Sequence, residues 1–143
     1  MSQAIVDAAK APFIAYNNKD WDGVSRSLTA AAVYDEVATA RKPQGTSEIV
    51  TVWKGWASAF PDSKATFEEA RVVGNTVILE LTWRGTHTGT LQTPTGEIPA
   101  TFKKIEMRAC NVIDVVDGRA QQMRQYFDMA TLMGQIGIQF ATV

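Results

Sequence analysis

The stretch Ile98–Phe127, IPATFKKIEMRACNVIDVVDGRAQQMRQYF, decides how this chain folds. It reads as a long strand from Ile98 to Val116, a turn at Asp117-Gly118 and a return strand from Arg119 to Phe127. Asp-Gly between two strand-like runs is a strong hairpin signal, because both residues tolerate the positive φ of a tight two-residue turn. Upstream, Ala65–Val73 leads into a Gly74-Asn75 turn and the alternating run Thr76–Thr88. The polar segment Gln92–Glu97, with its Pro and Gly, reads as a loop.

Further toward the N-terminus the period changes. Ile5, Ala8, Ala9, Pro12, Phe13 and Tyr16 recur near helical spacing behind a Ser2 cap, with Pro12 bending the helix and Asn17-Asn18 ending it. A second short helix puts Trp21, Val24 and Leu28 on one face, and Ala30–Val37 reads as an apolar strand that turns acidic at its end. Arg41–Gly45 is a loop, and Thr46 or Ser47 caps the next helix. That helix carries the stripe Ile49, Val52, Trp53, Trp56 and Phe60 and stops at Pro61-Asp62. A short apolar helix follows Phe127. Helices first, then hairpin-linked strands, predict an α+β fold with an antiparallel sheet. A long twisted sheet covering these helices curls around them and leaves a cone with a mostly apolar pocket.

At 143 residues, with no repeat, linker or low-complexity tract, residues 1–143 read as a single domain. A hydrophobic content of 45% with 20% charged residues is that of an ordinary globular protein. The net charge of −1 argues against nucleic acid, whose polyanionic backbone needs a basic face. No apolar run approaches the ~18–20 residues that span a bilayer. The opening MSQAIVDAAKAPF has an early Asp7 and no sustained apolar core, so it does not read as a secretory signal. The single Cys110 fits a reducing, cytoplasmic setting. One His and one Cys make no convincing metal site, and no Walker loop, G-x-G-x-x-G or G-x-S-x-G is present, so neither metal nor cofactor is expected.

Three places carry candidate chemistry. Asp128 sits among apolar residues at the mouth of the last helix, where a carboxylate is paired, caps the helix, or is held at an unusual pKa. His87, the only histidine, falls by alternation on the same face as Val77, Leu79, Leu81 and Trp83. It is either a pocket imidazole or a hydrogen-bonded residue at a strand end. Asp35 and Glu36 close the first strand, one facing the cavity by alternation, and Tyr34 beside them donates a hydrogen bond if it points inward.

The strings Trp56–Asp62 (WASAFPD), Gly85–Thr90 (GTHTGT), Gly96–Thr101 (GEIPAT) and Tyr126–Gly137 (YFDMATLMGQIG) together resemble the SnoaL-like polyketide cyclases of the NTF2-like superfamily. Ketosteroid isomerase and limonene epoxide hydrolase are cousins within it. The resemblance implies an NTF2-like cone, with N-terminal helices in the concave face of a curved, mostly antiparallel sheet. It also implies assembly as a dimer or larger homo-oligomer, such as a tetramer, through the sheet's outer face. For the best-studied members it implies a cofactor-free intramolecular aldol closure run by an acid/base aspartate, carried here onto Asp128. The isomerase's base matches Glu36, but Val37 replaces its proline and Phe13 its tyrosine. Neither Arg84 nor Arg108 begins the Arg-x-Asp that epoxide hydrolysis needs.

The expectation is therefore an acid/base enzyme acting on a small hydrophobic, carbonyl-bearing molecule. Asp128 would be its acid/base and His87 its polarising group. Trp83, Trp56 and Phe60 would form the apolar wall, with Tyr34 and Glu36 also at the substrate. The rival is a non-catalytic binding or assembly module of the same fold.

Overall fold

The computed structural model describes residues 2–138. Two helices, α1 (Ser2–Asn17) and α2 (Trp21–Arg26), lead into strand β1 (Leu28–Glu36), a 3-10 turn (Val37–Thr39) and helix α3 (Thr46–Ala59). Strands β2 (Lys64–Val73) and β3 (Thr76–Thr86), a small hairpin of β4 (Leu91–Thr93) and β5 (Gly96–Ile98), and strands β6 (Lys104–Val116) and β7 (Arg119–Phe127) follow, with helix α4 (Met129–Gln135) last. The main sheet runs β1-β7-β6-β3-β2.

Both predicted hairpins form, β2 with β3 and β6 with β7, and Asp117 and Gly118 adopt φ values of 51° and 76° at the second turn. The sheet is mixed, however, because β1 pairs with β7 in parallel. Hairpins fix direction only between strands adjacent in sequence, and β1 lies a whole sheet away from β7 along the chain. The expected strand from Ile98 begins at Lys104 instead, after Phe102 turns the backbone to φ 60°. Part of the expected Gln92–Glu97 loop is the β4–β5 hairpin, and Leu28 opens β1 rather than closing a helix. The N-cap of α3 is Gly45 without a side-chain bond, since Thr46 is already helical.

Period-2 patterning selects the inner face. On β6, Ile105, Met107, Ala109, Asn111, Ile113 and Val115 are buried, as are Met123 and Gln125 on β7. Ala9, Phe13 and Tyr16 of α1 and Ile49 and Trp53 of α3 pack on that face as the main core. A second cluster joins Phe60, Leu91, Ile105, Met107 and Leu132 where α3, β6 and α4 meet. Trp83 and Phe127 pack against both clusters, and a cavity lies among them. Among the described residues no helix is long and apolar enough to cross a membrane.

Candidate active site

The cavity has a volume of about 60 Å³. Phe13, Trp53 and Trp83 wall its inner part, and Phe60, Phe127 and Leu132 the part near α4. These rings are in mutual contact, Phe13 lying 5.4 Å from Trp53 and Trp56 6.3 Å from Phe60, centroid to centroid. Polar atoms reach the cavity from Tyr34, Trp56 and Gln125 on one side and from Tyr16 and Ser63 on another. Thus the expected lining residues Trp83, Trp56, Phe60 and Tyr34 do come together.

Glu36 stands directly behind them. Alternation along β1 turns Tyr34 and Glu36 inward and leaves Asp35 partly exposed, which resolves which acid faces in. The Glu36 carboxylate is wholly buried, and burying a charge is costly unless it is paired and hydrogen-bonded. Its Oε2 accepts from Tyr34 Oη at 2.9 Å and from Trp56 Nε1 at 2.7 Å. Its Oε1 accepts from Thr39 Oγ1 at 2.5 Å, and from Arg41 Nε at 3.0 Å and Nη2 at 2.7 Å. Oε2 therefore faces the cavity-lining residues, while Oε1 is tied to the partly exposed Arg41.

The network continues along the sheet. Gln125 Nε2 donates to Tyr34 Oη at 2.6 Å, while Gln125 Oε1 accepts from Trp83 Nε1 at 2.9 Å and Asn111 Nδ2 at 3.2 Å. Burial, and then the Glu36 charge and hydrogen bond, hold the Tyr34 phenol well above its ordinary pKa, so it stays a neutral donor. Burial likewise pushes Tyr16, bonded to Ser63 at 2.6 Å, up to about 12.

Asp128 is elsewhere. The expectation that it serves the pocket is corrected: it is exposed and is the N-cap of α4. Its Oδ1 accepts from Ala130 N at 3.0 Å and its Oδ2 from Thr131 Oγ1 at 2.8 Å. Inward positions on β7 are 123, 125 and 127, so the chain leaves the sheet with Asp128 pointing away from the cavity. The Thr131 hydroxyl and then the Ala130 N–H stabilise the anion and hold its carboxyl below the usual range, which suits a cap and not a base near neutrality.

His87 is wholly buried but lies behind Phe60, 5.1 Å between ring centroids, and does not line the cavity. The strand alternation that aimed it inward ends at Thr86; beyond it the backbone pairs with the Phe102-Lys103 turn. Gly89 sets this loop tightly on the end of α3, where a Cβ would meet the Ser58 carbonyl at 1.9 Å. The Thr101 N–H donates to Nδ1, which places the proton of a neutral ring on Nε2. Burial pushes the His87 pKa down, the Gly89 backbone opposing.

Sequence reasoning missed Arg41, Thr39, Asn111 and Gln125. Polar residues at inward strand positions are a usable signal for Gln125 and Asn111. No local pattern brings Arg41 to Glu36; that contact depends on how the loop after β1 folds back.

With this geometry in view, the sequence profile of the SnoaL-like polyketide cyclases matches residues 6–136. Among solved structures the chain is similar to a putative SnoaL-like polyketide cyclase from Jannaschia sp. CCS1, at 16% identity and TM-score 0.82, covering 96% of this chain and 94% of that one. It is similar to IdmH, a putative polyketide cyclase from Streptomyces antibioticus, at 23% identity and TM-score 0.80, covering 94% and 99%. A third relative, at 13% identity and TM-score 0.79 with coverage of 95% and 98%, is a hypothetical protein of ketosteroid isomerase-like fold from Catenulispora acidiphila in complex with trimethylamine. At these identities the structures establish the fold alone. Among curated proteins none matches the chain. The profile match across nearly the whole length, on a fold shared with these structures, shows that the chain belongs to the SnoaL-like polyketide cyclase family, with an NTF2-like α+β architecture.

Proposed function

We propose that this chain is a cofactor-independent acid/base enzyme for a small, mostly apolar molecule bearing a carbonyl group, with Glu36 as the base. The observation that carries the proposal is the position of Glu36: a wholly buried carboxylate whose Oε2 is held by two cavity-lining side chains, Tyr34 and Trp56. Oε2 takes a proton from the carbon next to the ligand's carbonyl. Tyr34, its O–H released as the carboxylate is neutralised, turns to the developing enolate oxygen, where a positioned donor is most effective. Returning the proton to another carbon gives isomerisation, and attack of the enolate on a second carbonyl gives an aldol closure. Trp83, Trp56 and Phe60 hold the apolar body of the ligand, with His87 packed behind Phe60 as support rather than as a contact. Asp128 caps α4.

With every wall side chain in place the cavity holds only compact ligands: about 60 Å³ is far below the ~300 Å³ of sites for drug-sized molecules. The trimethylamine in the Catenulispora protein is compact in the same sense. A second reading, a small-molecule-binding module without chemistry, is favoured by one observation: the hydroxyls of Tyr16, Ser63 and Tyr34, the Gln125 amide and the indole N–H groups of Trp56 and Trp83 at the cavity already bond to one another or to Glu36. A homodimer through the outer sheet face, where Ile78 and Tyr126 are exposed, is part of the proposal; sedimentation equilibrium giving a monomer would overturn that part.

The test is exchange of α-protons in deuterium oxide, followed by NMR, for butanone, cyclopentanone, acetophenone and 2-tetralone. Wild type should accelerate exchange, and Glu36→Gln should lose about 10²-fold or more of that acceleration. Equal rates for wild type and Glu36→Gln overturn the assignment. Saturable binding of the ketones without exchange establishes the second reading.

A further inference from the structure

The base proposed above is not free in this structure. Five donated hydrogen bonds saturate Glu36, and two of them, from the cavity-lining Tyr34 and Trp56, fall on Oε2. With Tyr34 and Trp56 both donating to Oε2, neither face of that oxygen is open to a proton from a ligand. The cavity itself is too small for an aryl ketone. Both obstacles meet in one side chain. The Trp56 ring lines the cavity, stacks on Phe60 and sets its edge against Phe127 at 6.1 Å, while its Nε1 donates to Oε2 at 2.7 Å. It stands on the last turns of α3 and is only partly buried, unlike Trp53 three residues earlier.

Resting on the reading of Glu36 as base, we infer that Trp56 is a positioning residue that couples ligand admission to the availability of the Glu36 carboxylate. Rotation of the indole away from the cavity widens it and breaks the Nε1–H···Oε2 bond in a single movement. A ligand large enough to displace the ring thereby uncovers the oxygen that acts on it. When the cavity is empty, the indole returns and the carboxylate is again quenched. Tyr34 is the wrong candidate for this gate: it is wholly buried, and Gln125 as well as Glu36 holds its hydroxyl. Arg41 binds the opposite oxygen and reaches the Trp56 ring only from outside, at 5.8 Å. Selection by size follows. Ligands that fit without moving the indole bind but meet a restrained base, so bulkier carbonyl compounds are the better substrates.

The indole N–H resonances in 1H–15N spectra test this directly, since the four tryptophans give four signals and Trp56→Phe identifies one. In wild type the Trp56 signal should lie downfield and be protected from solvent exchange. Saturating 2-tetralone should move it upfield and speed its hydrogen exchange at least about tenfold, the scale of one lost charge-assisted hydrogen bond. The Trp83 signal, bonded to Gln125, should stay in place. Binding of 2-tetralone with the Trp56 signal unmoved overturns the inference. Trp56→Phe keeps an aromatic wall but removes the donor and the bulk a ligand must displace, and should speed α-proton exchange several-fold and tighten 2-tetralone binding. Slower exchange in Trp56→Phe also overturns it. The Glu36→Gln comparison fails or succeeds on exchange rate alone and the indole signal on geometry alone, so the base and the gate can be refuted separately.

Discussion

Tyr34→Phe isolates the polar end of the cavity, because it deletes one oxygen and leaves the ring. Tyr34 Oη donates to the buried Glu36 carboxylate and accepts from Gln125 Nε2. A hydrogen bond to a charged group contributes about 1.5–3 kcal/mol, and a buried donor left without a partner costs about 1–3 kcal/mol. Gln125 cannot recover by flipping its amide, since its Oε1 already accepts from Trp83 and Asn111. Partial relaxation around the vacated oxygen brings the expected loss to about 2–4 kcal/mol, or roughly 6–12 °C in Tm for a domain of this size. Urea unfolding at fixed protein concentration measures it, since any assembly would otherwise shift the midpoint. A double-mutant cycle with Glu36→Gln should return a coupling of about 1–3 kcal/mol. A loss below about 1 kcal/mol, or strictly additive effects, would mean that the phenol does not hold the two groups together.

Three further outcomes follow for Asp128 and His87, which the fold places outside the cavity. Asp128→Asn should leave the rate of ketone exchange within about twofold of wild type, because the carboxylate serves α4 and not the cavity; a loss near 10²-fold would restore it as the acid/base group. Its folded pKa is depressed, so its stabilising effect is present above the ordinary carboxylate range and is lost as pH falls through the folded value. Asp128→Asn should accordingly flatten the acid limb of a pH–stability curve. His87 also has a depressed pKa in the folded chain, so its neutral form favours folding above about pH 6.5 and this contribution disappears on acidification. His87→Gln should weaken the pH dependence of Tm between neutrality and about pH 5; an unchanged slope would show that the imidazole does not titrate through folding.

Much of this molecule was decided locally. Asp117-Gly118 and Gly74-Asn75 demand turns wherever they stand, and the alternation of Val77, Leu79, Leu81 and Trp83 assigns an inner face without reference to any partner. The same period turned Tyr34 and Glu36 inward, and the four family strings placed the whole on an NTF2-like fold. Alternation failed where the strand stopped: His87 lies one residue past β3, and its ring went behind Phe60. Asp128 lies one residue past β7, where the unpaired N–H groups of a new helix capture its carboxylate. Tertiary structure alone decided the chemistry of Glu36. Its partners come from positions 34, 39, 41 and 56, on a strand, a turn, a loop and a helix that no spacing rule relates. A sequence thus determines which faces are apolar and where the backbone turns, because those are short-range steric and solvation effects. Which donors surround a buried charge depends on long-range packing.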